Sequence, residues 1–90
     1  MSTIAIHRAE IDRIDHKLLE LLNERAKHAM AIGEIKINNG DTEMYRPERE
    51  AQVLSNYMDH NQGPIPDNDI ARLFREIMST CLSNHWKLHF

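Results

Sequence analysis

The chain has 90 residues, with 11 lysines and arginines against 14 aspartates and glutamates and a formal net charge of −3 at pH 7. This length fits one hydrophobic core, and a weakly acidic chain has no global basic field to attract nucleic acid. No apolar run approaches the roughly twenty residues that span a bilayer, and charges stand where a secretory signal would be apolar. One cysteine, Cys81, excludes an internal disulfide and favours a reducing compartment. We therefore expect one cytoplasmic domain over residues 1–90, with no membrane and no nucleic-acid partner.

The first predicted element is a helix over about residues 4–38. Its large apolar residues recur at the three- and four-residue spacings of a helical stripe. This apolar stripe consists of Ile4, Ile11, Ile14, Leu18, Leu21, Ile32 and Ile35. The helix ends at the turn-forming residues 38–41 and is about 50 Å long, more than two shorter helices can cover. Since exposed apolar patches of this size mark association surfaces, we expect an intertwined helical homodimer in which the long helices pack together.

Two shorter helices are predicted over about residues 46–60 and 67–86. Pro47 stands in the first turn of the second helix, where a proline is tolerated, and residues 61–64 end that helix. The third helix has a predicted buried stripe of its own: Ile70, Leu73, Phe74, Ile77, Met78, Cys81 and Leu82. No segment alternates with the period of a strand. The predicted fold class is therefore all-α, with three helices per protomer, the first of them very long.

Cations occupy positions of the first helix that ought to be apolar. Arg25 lies on the apolar stripe between Leu21 and Ile32, and Lys36 returns to nearly the same angle eleven residues later. Burying such a charge is unfavourable unless an anion meets it. One reading is that these side chains reach outward or pair with carboxylates of the same protein. The other is that they form part of a binding site for a small polyanion.

The candidate site residues are charged or polar groups on inward-leaning positions of separate helices. They are Arg8, Arg25, Lys36, Arg49, Glu50, Cys81 and His85. An arginine guanidinium can form two parallel hydrogen bonds to one carboxylate. The set contains no obvious general base. Its catalysis would consist of holding a flexible anion in a reactive shape and stabilising charge that develops in the transition state. The chain has no glycine-rich phosphate loop and no paired metal-ligand spacing, so we expect no metal and no cofactor.

Four pieces of the sequence follow one another in an order that is typical of one family. They are Arg8-x-x-Ile11-x-x-x-Asp15-x-Lys17-Leu18-Leu19-x-Leu21-Leu22-x-x-Arg25, Ala31-Ile32-Gly33-x-x-Lys36, Tyr45-Arg46-Pro47-Glu48-Arg49-Glu50, and Gly63-Pro64 with Leu73-Phe74-Arg75-Glu76-Ile77-Met78-Ser79. Together they resemble the all-helical chorismate mutases, most closely the N-terminal mutase domain of the bifunctional chorismate mutase/prephenate dehydratase proteins. The resemblance implies a Claisen rearrangement of chorismate to prephenate in phenylalanine and tyrosine biosynthesis. It also implies a homodimer with shared active sites and no metal or cofactor.

The resemblance implies a role for each matching residue. Arg25 and Arg8 of the partner subunit would bind the two carboxylates of chorismate. Lys36 would donate to the ether oxygen and to a carboxylate. Glu50 would accept a hydrogen bond from the ring hydroxyl, with Arg49 orienting that glutamate.

Three further positions vary within the family or depart from its pattern. Cys81 occupies a position where some members carry a serine near a substrate carboxylate, and Arg46 stands where some relatives have an acidic residue. His85 replaces the glutamine or glutamate that usually bonds the ether oxygen, and with Lys36 and Glu50 it completes the expected catalytic residues. Because a protonated histidine donates more strongly than a neutral one, we expect activity that is weaker than typical or rises as the pH falls.

Two other functions are compatible with the sequence. The same fold and cations could catalyse a related elimination, from isochorismate to pyruvate and salicylate. Alternatively, the chain could be a helical dimerisation module without activity, in which carboxylates of the protein satisfy Arg25 and Lys36. Identifying the product from each substrate would separate the two enzymes, whereas an Arg25→Ala variant would separate enzyme from module.

Overall fold

The computed structural model describes the backbone of residues 3–41 and 46–87, and the side chains of these residues as far as Cys81. It contains three α-helices, α1 (Thr3–Asn38), α2 (Pro47–His60) and α3 (Asp67–Lys87). The two described ranges contain no strand. The prediction of an all-α fold with one very long helix and two shorter ones is confirmed.

A glycine two residues beyond Asn38, and four residues after Lys36, terminates α1. Gly40 has a φ of +79°, a left-handed conformation that a residue with a Cβ rarely adopts. Its N–H donates to the carbonyl of Ile37 at 3.0 Å, and the N–H of Asp41 donates to the carbonyl of Lys36 at 2.8 Å. This pair of bonds is a Schellman motif, which satisfies carbonyls at the helix end. Lys36 is therefore fixed in the last turn of α1, where its ammonium also complements the helix dipole.

The turn between α2 and α3 is organised by one asparagine. The side-chain amide of Asn61 donates to the carbonyl of Ile65 and to the carboxylate of Asp67, both at 2.7 Å. Its amide oxygen accepts from the N–H of Gly63 at 3.2 Å, in a turn where Gly63 has a φ of +74°. These bonds close the chain tightly and set α3 back against α2.

The helix α3 packs against both other helices and carries the centre of the small core. Leu54 of α2 and Ala71 and Cys81 of α3 are between 3% and 6% exposed. The rings of Tyr57 and Phe74 add a tilted aromatic contact with their centroids 4.7 Å apart. Within the described ranges, α1 and α2 each pack against α3 and not against each other.

One residue of the predicted stripe on α3 is not buried. Leu73 is 48% exposed, although the other side chains of that stripe with a described burial are buried or half-buried. The expectation for Leu73 was wrong because it lies at the edge of the stripe, where neither neighbouring helix of the protomer covers it.

The protomer is elongated and leaves its longest helix uncovered. Its radius of gyration is 16.6 Å, whereas a compact domain of this length has a value of about 12 Å. Its accessible surface is 7505 Å², against about 5400 Å² for a compact monomer of this mass. All seven residues of the apolar stripe are between 45% and 62% exposed, and Gly33 is the one buried residue among the described positions of α1. This apolar surface is available for association.

Within the described residues, every helix is too short or too polar to cross a bilayer.

Candidate functional site

The centre of the candidate site is a contact between α1 and α3. Nη1 of Arg25 donates to Sγ of Cys81 over 3.2 Å, and this bond joins residues 56 positions apart. Cys81 is 6% exposed and Arg25 is half-buried. The site therefore begins at the surface of the protomer's core, with a guanidinium held at one end by a buried thiol.

The contact leaves most of the hydrogen-bonding capacity of Arg25 unused. A guanidinium has five N–H donors, and a thiol is a weak acceptor without a full negative charge. No carboxylate within the described part of the chain forms an ion pair with Arg25. A half-buried cation with spare donors in a fixed fork is suited to bind a carboxylate of a ligand in two-point geometry.

The two other predicted groups near the helix ends are also half-buried. Lys36 lies in the last turn of α1, and Glu50 lies in the first turn of α2. As far as the structure describes the chain, neither of them forms an ion pair. Arg49 precedes Glu50 and is exposed. The fold thus presents an ammonium, a guanidinium and a carboxylate at the edges of packed helices, accessible to a polar ligand.

One predicted residue, Arg8, does not reach Arg25 within a protomer. Arg8 is exposed and lies on the same helix as Arg25, seventeen residues earlier. At 1.5 Å per residue this separation is about 25 Å, longer than both side chains together. A single protomer therefore does not bring Arg8 to Arg25.

The structure does not describe the side chain of His85 or any part of Tyr45. The backbone of His85 belongs to α3, four residues after Cys81, but its side chain is not among the side chains that the structure describes. Tyr45, which belongs to the third sequence piece, also lies outside the described residues. The predicted role of His85 stays a prediction.

The structure adds a contact that the sequence did not predict. Nη2 of Arg46 lies 2.5 Å from Oδ2 of Asp41, an ion pair between the residue after α1's terminal turn and the residue before α2. The only signal in the sequence is two opposite charges five residues apart, on either side of a loop. Such a spacing has no fixed geometry outside a helix, so the pair could not be inferred from it.

The described ranges contain no candidate metal site, because no three histidine, cysteine or acidic side chains cluster there. What the described site offers is positive charge with oriented donors. Such groups can bind carboxylates and stabilise an oxygen that gains negative charge during a reaction.

Comparison with known proteins gives a consistent result over most of the chain. Residues 7–85 match the family model described as chorismate mutase type II. The chain is 58% identical over 77 residues to the bifunctional chorismate mutase/prephenate dehydratase of Neisseria gonorrhoeae, a match that covers 86% of this chain and 20% of that protein. The protein of the same description from Pseudomonas aeruginosa is 49% identical over 80 residues, covering 84% and 22%. The chain thus spans about a fifth of the length of these curated relatives.

A solved structure agrees with this result at the level of the fold. The chorismate mutase (form II) from Thermus thermophilus superposes with a TM-score of 0.87 at 35% sequence identity, covering 91% of this chain and 92% of that one. The resemblance that the four sequence pieces indicated is confirmed.

Proposed function

Because this chain belongs to the chorismate mutase type II family, we propose that it catalyses the Claisen rearrangement of chorismate to prephenate. In this isomerisation the ether C–O bond breaks as a C–C bond forms within one molecule, so no group is transferred to the protein. The enzyme would serve phenylalanine and tyrosine biosynthesis, in the cytoplasm and without a cofactor.

The observation that carries the proposal is the environment of Arg25. This guanidinium is half-buried, anchored by the thiol of Cys81, and without a carboxylate partner in the described ranges. A charge held in this way is stabilised by an anionic ligand, and chorismate brings two carboxylates. The reading in which protein carboxylates neutralise Arg25 and Lys36 has no support from the described contacts.

The other site residues complete the proposed mechanism. Lys36 would donate to the ether oxygen, where negative charge develops as the C–O bond breaks, and to a carboxylate. Glu50, oriented by Arg49, would accept from the ring hydroxyl, and His85 would donate to the ether oxygen. Since none of these groups has to take up a substrate proton, restriction of the substrate and stabilisation of charge would be the whole of the catalysis.

We propose further that the active unit is an intertwined homodimer with shared sites. The protomer exposes about 2100 Å² more than a compact monomer of its mass. Specific interfaces bury about 800 Å² per partner, and obligate ones bury more. A second copy of α1 on the apolar stripe would cover this surface and bring Arg8 of the partner subunit to the site that Arg25 begins. The separation of Arg8 and Arg25 along one helix favours this arrangement.

Turnover of chorismate tests the proposal. Incubating the purified chain with chorismate should give prephenate, followed as a loss of ultraviolet absorbance and verified by product identification. Incubation with isochorismate should give no pyruvate or salicylate.

The alternatives predict different products. Pyruvate and salicylate from isochorismate, with chorismate unchanged, would assign the lyase function. A folded dimer that converts neither substrate would assign the role of a non-catalytic helical module. As a matched control, an Arg72→Ala variant should retain full turnover, because Arg72 pairs with Asp69 on the solvent side of α3.

A further inference from the structure

The ion pair between Asp41 and Arg46 connects the two helix ends that carry Lys36 and Glu50. We propose that this pair is a positioning clamp, which fixes the distance between the ammonium of Lys36 and the carboxylate of Glu50 around the substrate. The inference rests on the proposed mutase function and adds Asp41 and Arg46 to it as positioning residues.

The first support is the bonding at each end of the pair. The N–H of Asp41 donates to the carbonyl of Lys36 at 2.8 Å, and the carbonyl of Arg46 accepts from the N–H of Glu50 at 3.0 Å. With the side-chain contact of 2.5 Å between Arg46 and Asp41, these bonds form a continuous chain. It runs from the backbone of Lys36 to the backbone of Glu50 through three short contacts.

The second support is that the helices α1 and α2 have no other direct connection in the described ranges. Each of them packs against α3 and not against the other. Among the described contacts, the placement of Lys36 relative to Glu50 otherwise depends on the two separate packing interfaces with α3. The pair lies close to both groups, because Asp41 is bonded to the last turn of α1 and Arg46 directly precedes α2.

The backbone conformation is restricted at both residues of the clamp. Asp41 follows Gly40 in the Schellman motif, and Arg46 precedes Pro47, whose ring restricts the residue before it. The side chains of Arg46 and Asp41 are 43% and 33% exposed, so water screens the pair only in part. An ion pair with this exposure contributes little to stability. A displacement of catalytic groups by about 1 Å, in contrast, can lower a rate by about a hundredfold.

These magnitudes predict that activity depends on the clamp far more than folding does. In Arg46→Ala and Asp41→Ala variants we expect kcat to fall by about tenfold or more, with a smaller change in KM, because the bond from Lys36 to the ether oxygen strengthens as negative charge develops there in the transition state. The midpoint of thermal unfolding should shift by a few degrees at most. The loss in the double variant should be clearly smaller than the product of the two single losses, since both changes remove the shared ion pair. An Arg46→Lys variant, which keeps the charge, should recover part of kcat.

The control is an Arg72→Ala variant, which removes the exposed helix-surface pair with Asp69 and should leave kcat unchanged. Wild-type kcat in Arg46→Ala, in a chain whose wild type converts chorismate, would overturn the clamp and leave the proposed function intact. Additive losses in the double variant would overturn it too, because each residue would then act independently. A wild-type chain without turnover would refute the proposed function, and the clamp with it.

Discussion

An Arg25→Ala variant is expected to lose about 10²- to 10³-fold in kcat/KM for chorismate, the usual effect of removing one preorganised donor from an electrostatic site. The loss is large because Arg25 is half-buried, and because its donors meet no carboxylate of the described protomer. Steady-state rates at several chorismate concentrations measure it. If the interaction strengthens in the transition state, kcat should fall together with kcat/KM.

The control for this experiment lies on the same helix. Arg13 is paired with Glu10 at 3.1 Å and its side chain is 66% exposed, so Arg13→Ala should leave the kinetic constants unchanged. Circular dichroism and sedimentation should show that the Arg25→Ala variant remains a folded dimer. If that variant instead became less stable and kept its turnover, Arg25 would be a structural residue and the site would lie elsewhere.

A Leu18→Glu variant is expected to lose both the dimer and the activity. Leu18 is 49% exposed in the protomer and lies in the middle of the apolar stripe. The proposed dimer would therefore bury two copies of Leu18, one from each subunit. Truncating one buried leucine costs about 2–5 kcal/mol, and a buried unpaired carboxylate is more unfavourable still. Sedimentation velocity at micromolar concentration should find monomers or unfolded chains, and the chorismate assay should find no turnover.

The matched control places the same glutamate on the opposite side of α1. Ala9 is exposed and precedes Leu18 by nine residues, which is half a turn away in angle at 100° per residue. Ala9→Glu should therefore remain an active dimer. A dimer of unchanged stability in the Leu18→Glu variant would show that the apolar stripe is not the interface.

The sequence was sufficient for the helices because their signals are local. Gly40 marks the end of α1 because it readily adopts a left-handed φ, and Pro47 marks the beginning of α2 because its ring fixes φ. Both signals hold in almost any context. The apolar stripe repeats often enough to establish one long helix. Burial depends on which other elements are present, and for this reason the prediction failed at Leu73, which no helix of the protomer covers.

The candidate site could be predicted only in part. Periodicity placed Arg25 and Cys81 toward the interior, but it could not show that they bond to each other across 56 residues. The pair of Asp41 and Arg46 depends on the geometry of a loop, for which no sequence spacing is diagnostic. The role of His85 and the approach of Arg8 to Arg25 are predictions that depend on groups outside the described protomer.

Mixing two inactive variants tests the shared site most directly. Arg8→Ala and Arg25→Ala chains should each be nearly inactive alone. After subunits exchange at equal concentrations, half of the dimers are mixed, and each mixed dimer contains one site with both arginines. The account predicts recovery to about a quarter of the wild-type rate, as expected for random pairing in a two-fold dimer. A mixture no more active than its separate components, although exchange has been verified, would contradict a site built from two subunits.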